Sequence, residues 1–230
     1  MMEKSDGRSV FQDEAMEILL DSLSCQENSR VQSLSASVLS DLGGTYSWSG
    51  ESYTVAWLTK KAGLTSTSHR NTIRNIDWLD SCLQDIEIST WSSNSARAII
   101  KIGVPVISAL AKGMQSKVKG TSNDSLVCAA WLGSELVALG ENDIRYSACE
   151  IMLHDIASHL HPGFELAERV VACMCLYNYT SGKGKQMLMS LSEGSRESLR
   201  RLSSFTWMAE ELLQVTDYFL PRKPVSTVGI

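Results

Sequence analysis

Residues 96–113 read ARAIIKIGVPVISALAKG, and residues 124–136 that follow read DSLVCAAWLGSEL. In the first string, apolar residues fall at Ala96, Ile99 and Ile100, then again at Val106, Ile107, Leu110 and Ala111. Spacings of three and four residues place each set on one face of a helix. Gly103 separates the two sets, and Pro105 sits where a second helix would start, where a missing N–H costs nothing. The second string is rich in small residues, Ala129, Ala130 and Gly133, which let neighbouring helices approach closely. A short helix, a glycine turn, a proline-started helix and a long small-residue helix form one supersecondary unit. Such a unit has an apolar face it cannot bury alone.

Working outward, the same pattern recurs. Helical periodicity covers roughly 13–23, 30–42, 51–62, 69–86, 94–102, 104–117, 123–139, 143–160, 164–180, 184–192 and 195–219. Gly43-Gly44, Gly63, Gly103, Gly140, Pro162-Gly163, Gly182 and Gly194 mark the breaks. Period-two alternation of β-branched residues is nearly absent, so almost no strand is predicted. Arg30 and Arg74 are 44 residues apart, as are Leu39 and Leu83, and Leu132 and Leu176. The Trp48-Ser49 and Trp91-Ser92 steps are 43 apart. Offsets of this size are those of armadillo and HEAT repeats. The predicted fold is an all-α, armadillo/HEAT-like right-handed helical solenoid over 10–220. Disordered segments are predicted at 1–9 and 221–230, the latter the start of a truncated linker.

The totals exclude several function classes. The chain has 230 residues and a formal net charge of −5, so wholesale binding to nucleic acid or an anionic membrane is not predicted. No apolar run reaches the ~18 residues of a membrane-spanning helix. The first twenty residues lack a signal-peptide core, so an intracellular, cytoplasmic or nuclear, location is predicted. Six spread cysteines without a secretory signal read as free thiols.

Three candidate chemical sites are weaker than they look. His154, His159 and His161 crowd into HDIASHLHPGFE, residues 154–165. At 100° per residue, His154 and His159 point about 140° apart on one helix, which is wrong for chelation. His161 precedes Pro162, so the cluster reads as a helix end. Cys173 and Cys175 face about 200° apart and lack a second ligand pair, so they read as buried small residues. Ser181-Gly-Lys-Gly-Lys-Gln186 lacks the Ser/Thr of a phosphate loop and follows a helix; it reads as an inter-helix turn. No catalytic residue, cofactor or metal is assigned, and no small-molecule ligand is predicted. The candidate protein-binding residues are Trp48, Trp91, Glu135, Asn178, Arg196 and Arg200. Trp48 and Trp91 are chosen because each sits in a Ser-rich connection. Arg196 and Arg200 share a basic helix with Arg201, which Glu197 can pair four residues away.

Residues 96–136 and 169–202 resemble armadillo repeats. In the second window Leu176-Tyr177-Asn178-Tyr179 matches the end of a third helix, and Gly194, 91 residues after Gly103, matches the turn glycine. Peptide-binding armadillo proteins carry a Trp and, four residues on, an Asn along their concave groove. Here Trp131 is followed at that distance by Glu135, and Asn178 is preceded at that distance by Met174. The peptide-gripping asparagine ladder is therefore not expected.

SWSGESYTVAWLTKKAGL (47–64), RNIDWLDSCLQDIE (74–87) and LRRLSSFTWMAEELLQVTDYFLPRKP (199–224) resemble the plant LIN/CERBERUS-type ubiquitin ligases. That resemblance implies a place in the armadillo-like region, between a U-box and a C-terminal WD-repeat propeller. It links the chain to ubiquitination and, through legume members, to rhizobial infection and nodulation. No segment here reads as a U-box or propeller blade, so the chain reads as a fragment. The expected role is a non-catalytic scaffold that binds a protein partner or ubiquitination substrate. The alternative is a stand-alone adaptor, without a U-box, that competes with the full-length ligase for partners.

Overall fold

A computed structural model describes residues 7–43, 54–64 and 85–219. Among them every regular element is helical. We label the helices α1 (Gly7–Ser24), α2 (Ser29–Asp41), α3 (Thr54–Lys61), α4 (Asp85–Ile102), α5 (Val104–Met114), α6 (Lys119–Leu139), α7 (Asn142–Ser158), α8 (Leu166–Thr180), α9 (Glu193–Leu202) and α10 (Trp207–Phe219). A 3₁₀ segment, Gly182–Ser190, lies between α8 and α9.

The ends of these helices follow local chemistry. Asn28 caps α2 by accepting from the Val31 N–H, and Ser192 caps α9 by accepting from the Ser195 N–H. Gly103, at φ 78°, turns the chain between α4 and α5, and Pro105 follows in the first turn of α5. Gly140 ends α6 in the left-handed conformation, its N–H reaching the Val137 carbonyl.

Packing builds two rows. α1, α5 and α7 form one row, and α2, α6 and α8 form the other. The pairs α1/α2, α5/α6 and α7/α8 are thus successive antiparallel hairpins, stacked as a helical solenoid. α9 and α10 close one end through α10 on α8. α4 lies against α5 and α6, and α3 against α6 and α8. α6 is consequently covered on every side: all residues from Ser125 to Leu136 are buried. A helix buried all round belongs to the centre of a core. Buried side chains from α1 to α10, α3 and α4 included, form one continuous hydrophobic cluster.

Several boundaries differ from those read in the sequence. α1 begins at Gly7, ahead of Asp13. α4 begins at Asp85, so Trp91 lies inside a helix and not in a Ser-rich connection. The TWSSNS stretch has neither Gly nor Pro, and serine is tolerated in a helix whose flanks are anchored by buried Ala96 and Ile99. The single helix read over 195–219 is two. Ser203 and Ser204 turn their hydroxyls back to the Arg200 and Arg201 carbonyls, competing with the helical bonds there. The helix read over 184–192 is the 3₁₀ segment Gly182–Ser190, not α. The helix predicted over 69–86 falls outside the described residues except for its last two. The tail 221–230 and residues 1–6 also fall outside them.

Candidate protein-interaction surface

The residues singled out in the sequence divide into interior and surface. Trp48 lies outside the described residues. Trp91 lies in α4. Glu135, on α6, is buried, and its Oε1 accepts from the Ser92 hydroxyl of α4 at 2.8 Å. Asn178, on α8, is buried and donates from Nδ2 to the Ser134 hydroxyl of α6 at 3.1 Å. The bonded pairs are 43 and 44 residues apart, the same offsets that the sequence repeats. The ladder positions of the solenoid therefore bind each other. They join α4 to α6 and α6 to α8, and both side chains are buried between those helices. Trp131, at the position of the groove tryptophan, is fully buried; its Nε1–H donates to the Leu39 carbonyl at 3.2 Å. α3 packs against α6 and α8, and its Leu58 is buried, as are Ala62 and Leu64 just after it.

Arg145 performs a similar task that the sequence did not signal. It is 7 % exposed, on α7. Its Nε donates to the Asn178 carbonyl at 3.1 Å, one Nη to Asn142 Oδ1 at 3.1 Å, and the other to the Ser181 carbonyl at 2.9 Å and hydroxyl. These are carbonyls of the last turn of α8, left without helical donors. A planar fork of five N–H groups at a helix C-terminus satisfies them and complements the helix dipole.

The histidines separate. His154 is exposed on α7. His161 is exposed past the helix end, its Nδ1 accepting from the Gly163 N–H at 3.0 Å. His159 is the C-cap residue of α7 and is 2 % exposed. Its Nδ1 lies 2.8 Å from Glu168 Oε1 and its Nε2 3.3 Å from Ser122 Oγ, with the Phe164 ring stacked at 5.2 Å. A Ser, His and Glu in this order invite comparison with a hydrolytic triad. Activation of a serine requires the imidazole to accept the hydroxyl proton. Here the Ser122 hydroxyl already donates to the Met114 carbonyl at 2.6 Å, the shorter of its two contacts. The arrangement bolts the end of α5, the first turns of α6 and α8, and the end of α7 together. Among the described residues, no three or more His, Cys, Asp or Glu side chains converge as metal ligands would.

The thiols belong to the core. Cys128, Cys149, Cys173 and Cys175 are buried, and Cys25 is exposed. Burial pushes the thiols of Cys149 and Cys173 up to about 12, and that of Cys175 well up also. Such groups stay protonated and unreactive at neutral pH. Cys82 lies outside the described residues.

The charged surface is α9. Arg200 bonds Glu193 at 2.9 Å and Glu197 at 3.2 Å, and Arg201 bonds Glu197 at 3.2 Å, the i, i+4 pair its spacing predicted. Arg196 is largely covered; one Nη donates to the Met189 carbonyl at 2.8 Å. Nearby on α10, Trp207 is 44 % exposed and packs edge-on against Tyr177, ring centroids 5.1 Å apart. No helix among the described residues is long and apolar enough to cross a membrane.

Stacked helix pairs, ladder positions tied to one another and a charged outer helix define an armadillo-like helical repeat domain. A family model described as "Putative E3 ubiquitin-protein ligase LIN, ARM-like domain" matches residues 1–217. The chain belongs to this family. It is 25 % identical over 218 residues to "Putative E3 ubiquitin-protein ligase LIN-1" of Lotus japonicus, a match spanning 90 % of this chain and 14 % of that protein. It is 24 % identical over 217 residues to LIN-2 of the same plant and to LIN of Medicago truncatula, with the same coverage. The chain thus spans 14 % of the length of these curated relatives. No solved structure shows significant similarity.

Proposed function

We propose that this domain is a non-catalytic, protein-binding scaffold segment of a LIN-type ubiquitin-ligase system, acting inside the cell. The observation that carries the reading is the use of the polar side chains. Those with the chemistry for catalysis or peptide grip, Glu135, Asn178, His159 and Glu168, are buried in bonds between helices. The exposed polar groups lie on outer helices such as α9, where Arg200 presents a charged face to a protein partner. A ligase of this kind works by holding a charged conjugating enzyme and its substrate in place, so its catalysis is largely positioning. A solenoid contributes by raising the local concentration of what it holds.

The test is reconstitution of residues 1–230 with ubiquitin, activating enzyme and a panel of conjugating enzymes. The expected result is no ubiquitin-chain formation by this segment alone. Robust chain formation would reveal a catalytic surface and end the scaffold reading.

A further inference from the structure

The arginines differ in how their guanidinium groups are used. Arg145 is bonded through Nε and both Nη groups, and Arg200 is tied to Glu193 and Glu197 through Nη1. Arg169, on α8, and Arg201, on α9, are each held by Nε alone. Arg169 Nε donates to the Leu160 carbonyl at 3.3 Å, and Arg201 Nε to Glu197 Oε1 at 3.2 Å. Their Nη groups make no hydrogen bond within the described residues. Burial first, and then the charge of Arg201, holds the Arg169 guanidinium below its ordinary value, so the two groups lie close together. Glu168, the neighbour of Arg169 along the chain, is turned inward to His159. Two guanidinium groups side by side with donors to spare are the setting in which a bridging carboxylate stabilises both.

Arg201 also lines a cleft of about 360 Å³ between the end of α7 and the start of α9. His161 lines it too; its Nδ1 accepts from the Gly163 N–H at 3.0 Å, which leaves Nε2 as a donor. Ser192, Gly194 and Ser195 bring the cap and first turn of α9 to the cleft, and with them the positive end of that helix dipole. Glu197 is in the lining as well, but Arg200 and Arg201 hold it. The surroundings are positive on an acidic chain. Arg169, Arg196, Arg200 and Arg201 set four charges against the two of Glu193 and Glu197, whereas the whole chain stands at −5. We propose that this cleft docks an acidic segment of a partner protein, with one carboxylate of that segment bridging Arg169 and Arg201. The proposal rests on the scaffold reading and names the chemistry of the partner. A guanidinium fork takes a carboxylate through two parallel hydrogen bonds, which gives direction as well as attraction. The site is open to water, so salt weakens the contact.

Fluorescence anisotropy of a rhodamine-labelled oligoglutamate peptide, titrated with the 230-residue chain at low ionic strength, tests this. Binding is expected with a Kd of about 100 µM, lost by about 0.5 M salt. Arg201→Gln should weaken it about tenfold. The Arg201 side chain is 61 % exposed, so this variant should keep the parent's thermal melt. Adding Arg169→Gln should weaken binding at least about thirtyfold relative to the parent. Arg200→Gln, on the same helix but not in the cleft lining, should change it by less than about twofold. No binding up to about 1 mM, or binding that the Arg169→Gln, Arg201→Gln double variant retains, would overturn the proposal. Equal sensitivity to Arg200→Gln and Arg201→Gln would overturn it too, because the attraction would then belong to the whole helix and not to the cleft. None of these outcomes bears on the scaffold reading, which falls to ubiquitin-chain formation instead.

Discussion

Replacing Trp131 by alanine tests whether the groove position has become core. The indole is fully buried on α6 and meets Gly43 closely; a Cβ on that glycine would come within 3.0 Å of the ring. Its N–H fills the Leu39 carbonyl, one of the last-turn acceptors of α2. Truncating a buried tryptophan costs about 3–5 kcal/mol in lost burial and cavity. Orphaning the carbonyl adds about 1 kcal/mol. The sum, about 4–6 kcal/mol, is a large share of a typical domain's stability. For a chain of this length each kcal/mol moves Tm by about 2–4 °C, so Trp131→Ala should lower it by about 8–24 °C. Trp131→Phe keeps most of the ring and loses the hydrogen bond, and should cost about 1–2 kcal/mol. Thermal melts by far-ultraviolet circular dichroism give the answer. A Trp131→Ala drop below about 3 °C would mean that the indole is not enclosed, and the closed-groove reasoning would fail.

Arg145→Ala should destabilise the domain by about 2–4 kcal/mol in urea titrations, because the Ser181 carbonyl loses the guanidinium and the Asn178 carbonyl keeps only the Ser181 hydroxyl. Arg145→Lys should recover only part of this, since a point charge cannot span the fork. In a Cys82→Ser background, Cys25 should be the fast thiol toward Ellman's reagent at pH 8. Cys128, Cys149, Cys173 and Cys175 should react only after denaturation, at the rate of global opening; rapid native labelling of Cys173 would show that α8 is not core.

The parts legible in the sequence were those controlled by neighbours along the chain. Gly103 followed by Pro105 places a helix boundary because both residues act locally, on φ and on the N–H. Gly140 does the same, and the Glu197–Arg201 pair needs only a helix to exist. The 44-residue offset of Leu132 and Leu176 links α6 and α8, which share a row, and the Ser134–Asn178 bond follows it; the Arg30–Arg74, Leu39–Leu83 and Trp48–Trp91 offsets each have one residue outside the described ones. What they did not foretell is that the bonds run between helices and not outward to a peptide. The sense of a buried hydrogen bond depends on what covers it, here α3 and α4. The α9/α10 break escaped because serine hydroxyls, not Gly or Pro, end the helix. His159 read correctly as a helix end. Its partners Glu168 and Ser122 come from two other helices and leave no spacing signature.

In a strict helical array each repeat touches only its neighbours, and folding can begin anywhere and spread. The Thr206 hydroxyl departs from that rule, because it donates to the Ala62 carbonyl across 144 residues of chain. Beside it Gly63, at φ 89°, lies so close to Trp207 that a Cβ would come within 2.6 Å of the indole. This clasp raises the contact order, so its loop must close before the contact repays the entropy. Folding should therefore be slower than in a linear array of the same length, with α3 and α10 docking as one late event. It also makes the two helices hostage to each other: cutting the chain before Thr206 would strip α3 of its far anchor, although the cut lies more than a hundred residues away.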